Sequence, residues 1–303
     1  MAKQLDWHVA VYASNEEERI GACLRSIAVA LEGRSFLVTV LVNGSRDNSA
    51  ETALRAARDG MPVEVYAISY GDKANAINQF IHALRRPAHL VGEVDAYAIV
   101  GVRSFTGMAA ALERSQEARA ATGVAITGRT MPSVTAETLV VGGRLHGQLH
   151  AFRPDFLDRM VARGIRLPIG YYWGDGLLGS MSAHDLDPLT EPWRNERVVG
   201  VAEATYAIPV LSPFRLGDIR RQYRREIRQA RGKLENAAIQ QVIYRTGYEG
   251  LPAWSNDLVA DLVATGPVPP ATGRARYFRR VALKEVASFR PPSPDALLPR
   301  RLG

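Results

Sequence analysis

Two apolar runs, each ending in a small polar turn that passes straight into an amphipathic helix, constrain this chain more than any other feature. Trp7 to Tyr12 runs into Ser14-Asn15-Glu16, and Phe36 to Val42 runs into Asn43-Gly44-Ser45. The second run is almost wholly aliphatic and β-branched, as suits a parallel strand covered on both faces. Between the two, Ile20, Cys23, Leu24, Ile27 and Leu31 recur at intervals of three and four. That spacing predicts a helix over 16–31, stopped at Gly33. Successive units of this kind give a mainly parallel sheet with right-handed crossovers. The loops at the carboxyl ends of its strands border a crevice, which is where open α/β sheets bind ligands.

The alternation continues along the chain. A helix capped by Asp47 or Ser49 is predicted to end near Gly60, followed by a strand at Val63 to Ile68 and a helix from Asp72 to Leu84. Next come a strand at His89 to Val94, a helix at Phe105 to Ala120, and strands at Val124 to Thr127 and Arg144 to Phe152. Pro154 opens a helix at its favoured first position. Gly174 to Met181 reads as helical, with strands at Arg197 to Val201 and Ala204 to Val210. Beyond about residue 236 the pattern weakens, and Pro267, Pro269, Pro270, Pro291, Pro292 and Pro294 break it up. The expected organisation is an α/β domain over 1–235 and a small helical, Pro- and Arg-rich extension over 236–303 with a loose tail.

Composition narrows the class. The lone cysteine, Cys23, excludes a disulfide framework and a cysteine-based zinc site, and its place on an apolar helix face reads as packing. Asp6 and His8 interrupt the amino-terminal segment too early for a signal peptide. No run approaches the roughly 18 apolar residues of a membrane span, so the cytoplasm is the expected compartment. The formal net charge of +7 is concentrated from Arg215 to Lys233 and again at Arg274, Arg276, Arg279, Arg280 and Lys284. Such patches suit a polyanion, an anionic membrane surface or an anionic substrate.

In order along the chain, the polar turns resemble the motifs of GT-A glycosyltransferases, most of all the inverting family two. Ala13, Asn15 and Glu16 match the turn that contacts nucleobase and ribose; a plain helix start accounts for the same residues. Asn43-Gly44-Ser45 matches the Asp-Asp-Gly-Ser turn, with an amide in place of an acid, and Asp47 matches a later acid of that turn or a helix cap. Gly71-Asp72-Lys73-Ala74-Asn75-Ala76-Ile77-Asn78 resembles the element whose lysine meets the diphosphate. Asp95-Ala96-Tyr97 stands where the family has Asp-x-Asp, which implies a divalent cation, Mg²⁺ or Mn²⁺, at Asp95 although the second acid is Tyr97. Glu93, two residues back on the same strand face, offers a displaced acid pair. Trp173-Gly174-Asp175 matches the acidic pair whose second member is the catalytic base, so the resemblance assigns that role to Asp175. Gln222-Tyr223-Arg224-Arg225 resembles Gln-x-x-Arg-Trp with Glu226 in the last place, and puts Arg225 at the leaving diphosphate. Tyr172 and Trp173 are expected to face an acceptor sugar, and His150 either lines the same pocket or belongs to a polar strand face shared with His146 and Gln148.

The resemblance implies a GT-A fold and transfer of a sugar, with inversion, from a UDP- or GDP-sugar to a hydroxyl of a glycan, a lipid-linked intermediate or a small polyol. Peripheral contact with a membrane is compatible with the arginine-rich segment, and nucleic acid is not the expected partner. Two other readings stand beside it. Tyr97 and Gly174 at normally acidic places suggest a non-catalytic GT-A protein, and the arginines suggest a protein that binds an anionic surface or nucleic acid through Arg221, Arg224 and Arg228. A dinucleotide oxidoreductase is disfavoured, because no Gly-x-Gly-x-x-Gly follows the first strand.

Overall fold

The computed structural model describes residues 4–127, 144–209 and 216–303, with backbone alone over 216–221. Val210, Arg215 and the side chain of Arg221 therefore lie outside the described residues. The strands in chain order are β1 (Leu5–Ala13), β2 (Phe36–Asn43), β3 (Val63–Ile68), β4 (Ala88–Asp95), β5 (Ile99–Val100), β6 (Ala120–Ala125), β7 (Leu149–Phe152), β8 (Val198–Ala207) and β9 (Arg300–Leu302). They form one mixed sheet in the order β5-β8-β6-β7-β4-β1-β2-β3-β9. Its centre, β3-β2-β1-β4, is parallel throughout. The chain leaves β1 outward through β2 and β3, then returns to pair β4 with the other side of β1. That reversal opens a crevice at the carboxyl ends of β1 and β4, where Tyr12 and Asp95 are register partners.

Alternation along the buried strands divides the core in two. Val9, Val11 and Ala13 of β1 face one layer with Val38, Val40 and Val42 of β2. Against them pack α1 (Ile20–Ala30) through Ile20, Cys23, Leu24 and Ile27, α2 (Ser49–Arg58) through Ala53, and later α4 (Ser104–Arg114) through Phe105 and Met108. Each such buried Leu or Ile contributes about 1.5–3 kcal/mol. Ala10 and Tyr12 face the opposite layer. It is filled by α3 (Lys73–Gln79) with its following π-helical turn (Phe80–Leu84), α5 (Pro154–Ala162), α6 (Gly174–Ala183), the long α7 (Leu216–Thr246) and α8 (Ser255–Thr265). The helix α9 (Gly273–Ala287) packs on α7 through Phe278 and Ala282 beside Ile227, and α10 (Pro294–Leu297) is a single turn. Among the described residues no helix is long and apolar enough to cross a membrane.

Several expected boundaries move, each for a local reason. The helix predicted from residue 16 is a turn followed by α1, because Asn15 takes a left-handed φ of 56° and the Glu16 carbonyl accepts from the N–H groups of Arg19 and Ile20. The helix predicted to Ala120 stops at Arg114. Residues 115–119 form a turn and β6 begins at Ala120, with Ala121 paired to Ala151 on one side and Val199 on the other, a case of tertiary pairing overriding propensity. The strand predicted from Arg144 begins at Leu149. The two strands predicted between Arg197 and Val210 are the single β8, whose register shifts opposite Thr122 and Val124 in a bulge. The loose tail is also corrected. Arg300–Leu302 closes the sheet edge on β3, and Leu302 packs against the core. The helix α7 runs through position 235, so the main sheet domain and the carboxyl-terminal helices share it.

Candidate active site

The loops after β1 and β2 are laced together. The N–H groups of Asn15, Glu16 and Glu17 donate to Ser45 Oγ (3.0 Å), Ser49 Oγ (2.8 Å) and Asp47 Oδ2 (3.0 Å). In return, the N–H groups of Arg46 and Asn48 donate to Asn15 Oδ1 (2.9 Å) and Glu17 Oε2 (2.8 Å). Asp47 also accepts from the N–H and hydroxyl of Ser49, the first residue of α2. Buried Asn43 joins the strand ends by donating Nδ2 to the Ala13 carbonyl at 3.1 Å. Glu16 holds Arg19 at 2.9 Å.

The loops after β2 and β3 touch backbone to backbone. Gly44 has a φ of 62°, and a Cβ there would lie 2.4 Å from Gly71 Cα. Only glycine permits both the left-handed turn and this approach. A cleft of about 570 Å³ opens beside them, bordered by Gly44, Ser45, Asp47, Ser69, Tyr70 and Gly71.

Asp72 ends the β3 loop and caps α3, accepting from the Asn75 N–H at 2.7 Å and, through its other oxygen, from the Gly170 N–H at 2.9 Å. Burial pushes its carboxyl up to about 6, against the pull of those two N–H groups and of Arg231. The next residue, Lys73, reaches the crevice. Its ammonium donates to Asp95 Oδ1 at 2.5 Å and to the Gly147 carbonyl at 3.3 Å, and lies 5.7 Å from the Tyr12 ring centroid. Burial opposes the charge on Lys73, but the Asp95, Asp175 and Glu93 carboxylates outweigh it and raise the pKa.

Gly147 is the hinge of the arrangement. Its carbonyl faces Lys73 and its N–H donates to Asp175 Oδ2 at 3.0 Å. A Cβ at position 147 would meet the same oxygen at 3.0 Å and Cγ at 3.1 Å, so the carboxylate rests directly on the glycine. Asp175 stands in the first turn of α6 and is half-buried. Thus Asp95, Lys73, Gly147 and Asp175 form one connected row.

A second row fixes the other side of Asp95. Tyr206 Oη donates to Gln148 Oε1 (3.2 Å), Gln148 Nε2 to Tyr97 Oη (3.4 Å), and Tyr97 Oη to Asp95 Oδ2 (2.8 Å). The direction is forced, because the Tyr97 proton goes to the carboxylate and its oxygen must then accept. Burial, then the Asp95 charge, raise the Tyr97 pKa well above the ordinary phenol range.

Tyr172 and Trp173, which precede Asp175 in the chain, are both half-buried. Arg228 of α7 stacks 5.1 Å from the Tyr172 ring centroid, and the Trp173 ring packs against Gly232. The buried Glu235 accepts from the Tyr172 N–H at 3.1 Å and from Arg231 Nε at 2.6 Å. Arg225 lies one turn before Arg228 on α7 and is half-buried.

No protein-family model matches the sequence, and no curated protein does. Solved structures match over most of the chain. A mannosyltransferase from Pyrobaculum calidifontis, PcManGT, solved with GDP-Man and Mn²⁺, aligns with a TM-score of 0.57 at 16% identity, covering 94% of this chain and 87% of that one. S. aureus TarS in complex with UDP-GlcNAc aligns at 0.53 and 12% identity, covering 93% and 80%. Glucosyl-3-phosphoglycerate synthase from Mycobacterium tuberculosis, with Mn²⁺, UDP and glucosyl-3-phosphoglycerate, aligns at 0.50 and 19% identity, covering 72% and 77%. The chain has the GT-A fold.

Within this GT-A sheet the residues singled out by sequence separate into groups. Lys73, Asp95 and Asp175 converge in the crevice. Ala13, Asn15, Glu16, Asn43 and Ser45 gather at the neighbouring strand ends. His150 is buried at 2% exposure, with Nε2 3.3 Å from Glu93 Oε2. Its Nδ1 must donate to the His146 carbonyl at 3.0 Å, so Nε2 carries a proton only when the ring is charged. Glu93, fully buried on the same face as Asp95, is turned to His150 and is closed off from the crevice. Sequence reasoning passed over Gly147 altogether, and it gave Gln148 no part in fixing Asp95 through Tyr97. The only signal for either was a glycine and an amide between two histidines.

Proposed function

We propose that this chain is an inverting glycosyltransferase that moves a sugar from a nucleoside diphosphate sugar to an acceptor hydroxyl. The observation that carries the reading is Gly147, which holds the candidate base Asp175 on its N–H and the cation Lys73 on its carbonyl. A base and a positive charge on two sides of one residue suit a reaction that takes a proton from a nucleophile and collects negative charge on a leaving group.

In this reading the nucleoside lies along the β1 and β2 ends, against Ala13, Asn15, Glu16, Asn43 and Ser45, with the diphosphate toward Lys73. The acceptor hydroxyl oxygen attacks the anomeric carbon in line. Its proton passes to Asp175, and the bond to the diphosphate oxygen breaks with its electron pair leaving on the diphosphate. The Lys73 ammonium stabilises that charge, with Arg225 on the α7 side. Tyr172 and Trp173 form the acceptor platform. The structural relatives contain GDP-Man, UDP-GlcNAc and UDP, which supports UDP- and GDP-sugars as the first donors to try. Acceptors to try are a glycan, a small polyol and a lipid-linked intermediate. For the last, Tyr223 and Tyr277, 44% and 54% exposed beside arginines of α7 and α9, suit an anionic membrane surface.

Two of these relatives were solved with Mn²⁺, so a divalent cation is the expectation carried over by fold. The donor set at Asp95 does not fit one: Asp95 is the single acid there, its Oδ1 is paired with the Lys73 ammonium, and Tyr97, in the second place, donates to Oδ2 where a metal ligand would have to accept. Among the described residues no group of three His, Cys, Asp or Glu side chains is arranged to hold a metal ion. No step is therefore routed through a cation.

Nucleotide release from a panel of UDP-, GDP-, CDP- and dTDP-sugars, comparing wild type with Asp175→Asn, tests the proposal. Slow hydrolysis of one donor, and an acceptor-dependent rate lost in the variant, are the expected results. Neither turnover nor donor binding with any of them sinks the reading.

A further inference from the structure

The misfit at Asp95 has a positive side. A hard divalent cation is held by several oxygen ligands together, so a single carboxylate needs a second acceptor oxygen beside it. Here Oδ1 faces an ammonium at 2.5 Å and Oδ2 accepts a phenol hydrogen at 2.8 Å. The phenol oxygen in turn receives the Gln148 amide, whose orientation Tyr206 sets. The second place of the acidic motif thus holds a donor where a metal needs an acceptor, and that donor is braced by two further side chains.

Lys73 is placed to use what this leaves. Its ammonium is anchored by the Asp95 carboxylate and the Gly147 carbonyl, while 40% of its side chain remains open to the crevice. An ammonium carries three N–H donors. Two are spent on these anchors, and the third is available to an anion.

We infer that this chain neutralises the donor diphosphate with the Lys73 ammonium, held by Asp95 and Tyr97, and does so without a divalent cation. The inference rests on the transferase reading. In the transfer step Lys73 donates a hydrogen bond to the diphosphate oxygen that takes the electron pair of the breaking bond, and keeps its proton. Asp95 and Tyr97 are positioning residues that act through Lys73.

The test measures UDP and GDP binding by calorimetry on full-length protein, in EDTA and in Mn²⁺, alongside Mn²⁺ binding followed by electron paramagnetic resonance without nucleotide. The wild type is expected to bind one nucleotide with the same affinity in both buffers and to leave the free Mn²⁺ signal unchanged. Lys73→Met should weaken the nucleotide by about tenfold or more, with no recovery in Mn²⁺. Tyr97→Asp supplies the missing acceptor and should acquire both Mn²⁺ binding and a Mn²⁺-dependent gain in nucleotide affinity. This gain keeps the test independent of a loss caused by misfolding. Nucleotide binding that disappears in EDTA and returns with Mn²⁺ in the wild type overturns the inference while the transferase reading stands. Binding of neither nucleotide in either buffer overturns both.

Discussion

Five cross-links lace the loops after β1 and β2, and in every one a backbone N–H is the donor and a side-chain oxygen the acceptor. Around Asp95 and Asp175 the order is different: an ammonium, two phenols and an amide meet carboxylates and one glycine peptide. The first region spends side chains on holding backbone in place. The second uses backbone, at Gly147, to hold charged side chains in place. Substitution in the first should therefore act on stability, and substitution in the second on turnover.

The largest effect expected is at Asp175. Asp175→Asn keeps an oxygen for the Gly147 N–H but removes the proposed base, and should lower acceptor-dependent turnover about 10³-fold with little change in melting temperature. Steady-state kinetics and a thermal melt on the same sample check both halves. Gly147→Ala comes next. The added methyl displaces the Asp175 carboxylate, and turnover should fall by about a hundredfold while nucleotide affinity, measured by calorimetry, holds. A melting temperature that collapses in either variant would break the contrast.

Gly44→Ala should do the opposite. Its methyl meets Gly71 backbone in a left-handed turn, and unfolding in urea should show a loss of about 2–3 kcal/mol. The smallest effect sharpens the comparison by pH. Asp72 titrates at about 6 when folded, above its value in the unfolded chain, because burial penalises its charge. Between those values the folded state binds the extra proton, so stability from this group rises as pH falls through 6. The difference in unfolding free energy between wild type and Asp72→Asn should shift in favour of wild type by about 1 kcal/mol from pH 7 to pH 5. Burial opposes the charge on Asp47 too, but the Ser49 hydroxyl and the Glu17 and Ser49 N–H groups outweigh it and hold its pKa below the usual range. Its contribution is present at neutral pH and is lost as pH falls, so Asp47→Asn should give the opposite slope.

What was legible in the sequence follows from the range of the forces involved. The parallel centre could be read from its runs, because strands buried on both faces and helices with one apolar stripe write their periods directly into the chain. The helix read on to Ala120 misled because Ala118 and Ala120 favour helix locally, whereas the pairing partners of β6 lie near 151 and 199. The tail misled because three residues that pair with β3 carry no period. At the site, Lys73, Asp95 and Asp175 stood out as motifs in order. The lacing of Asn15, Ser45, Asp47 and Ser49 did not, since its partners are about thirty positions apart and each residue alone looks like a cap or a ligand. Gly147 carries its role in a backbone N–H and carbonyl that every residue but proline has.

Under the proposed function, the facing glycines 44 and 71 also bear on how nucleotide preference can be redirected. They meet backbone to backbone where two loops border the cleft, and a side chain at 44 would run into the main chain of Gly71. A combinatorial library over this rim should hold both constant and vary Asn43, Ser45 and Ser69. Diversity spent on position 44 returns mainly clones that fail to accumulate, and their silence would be mistaken for a lack of alternative specificities.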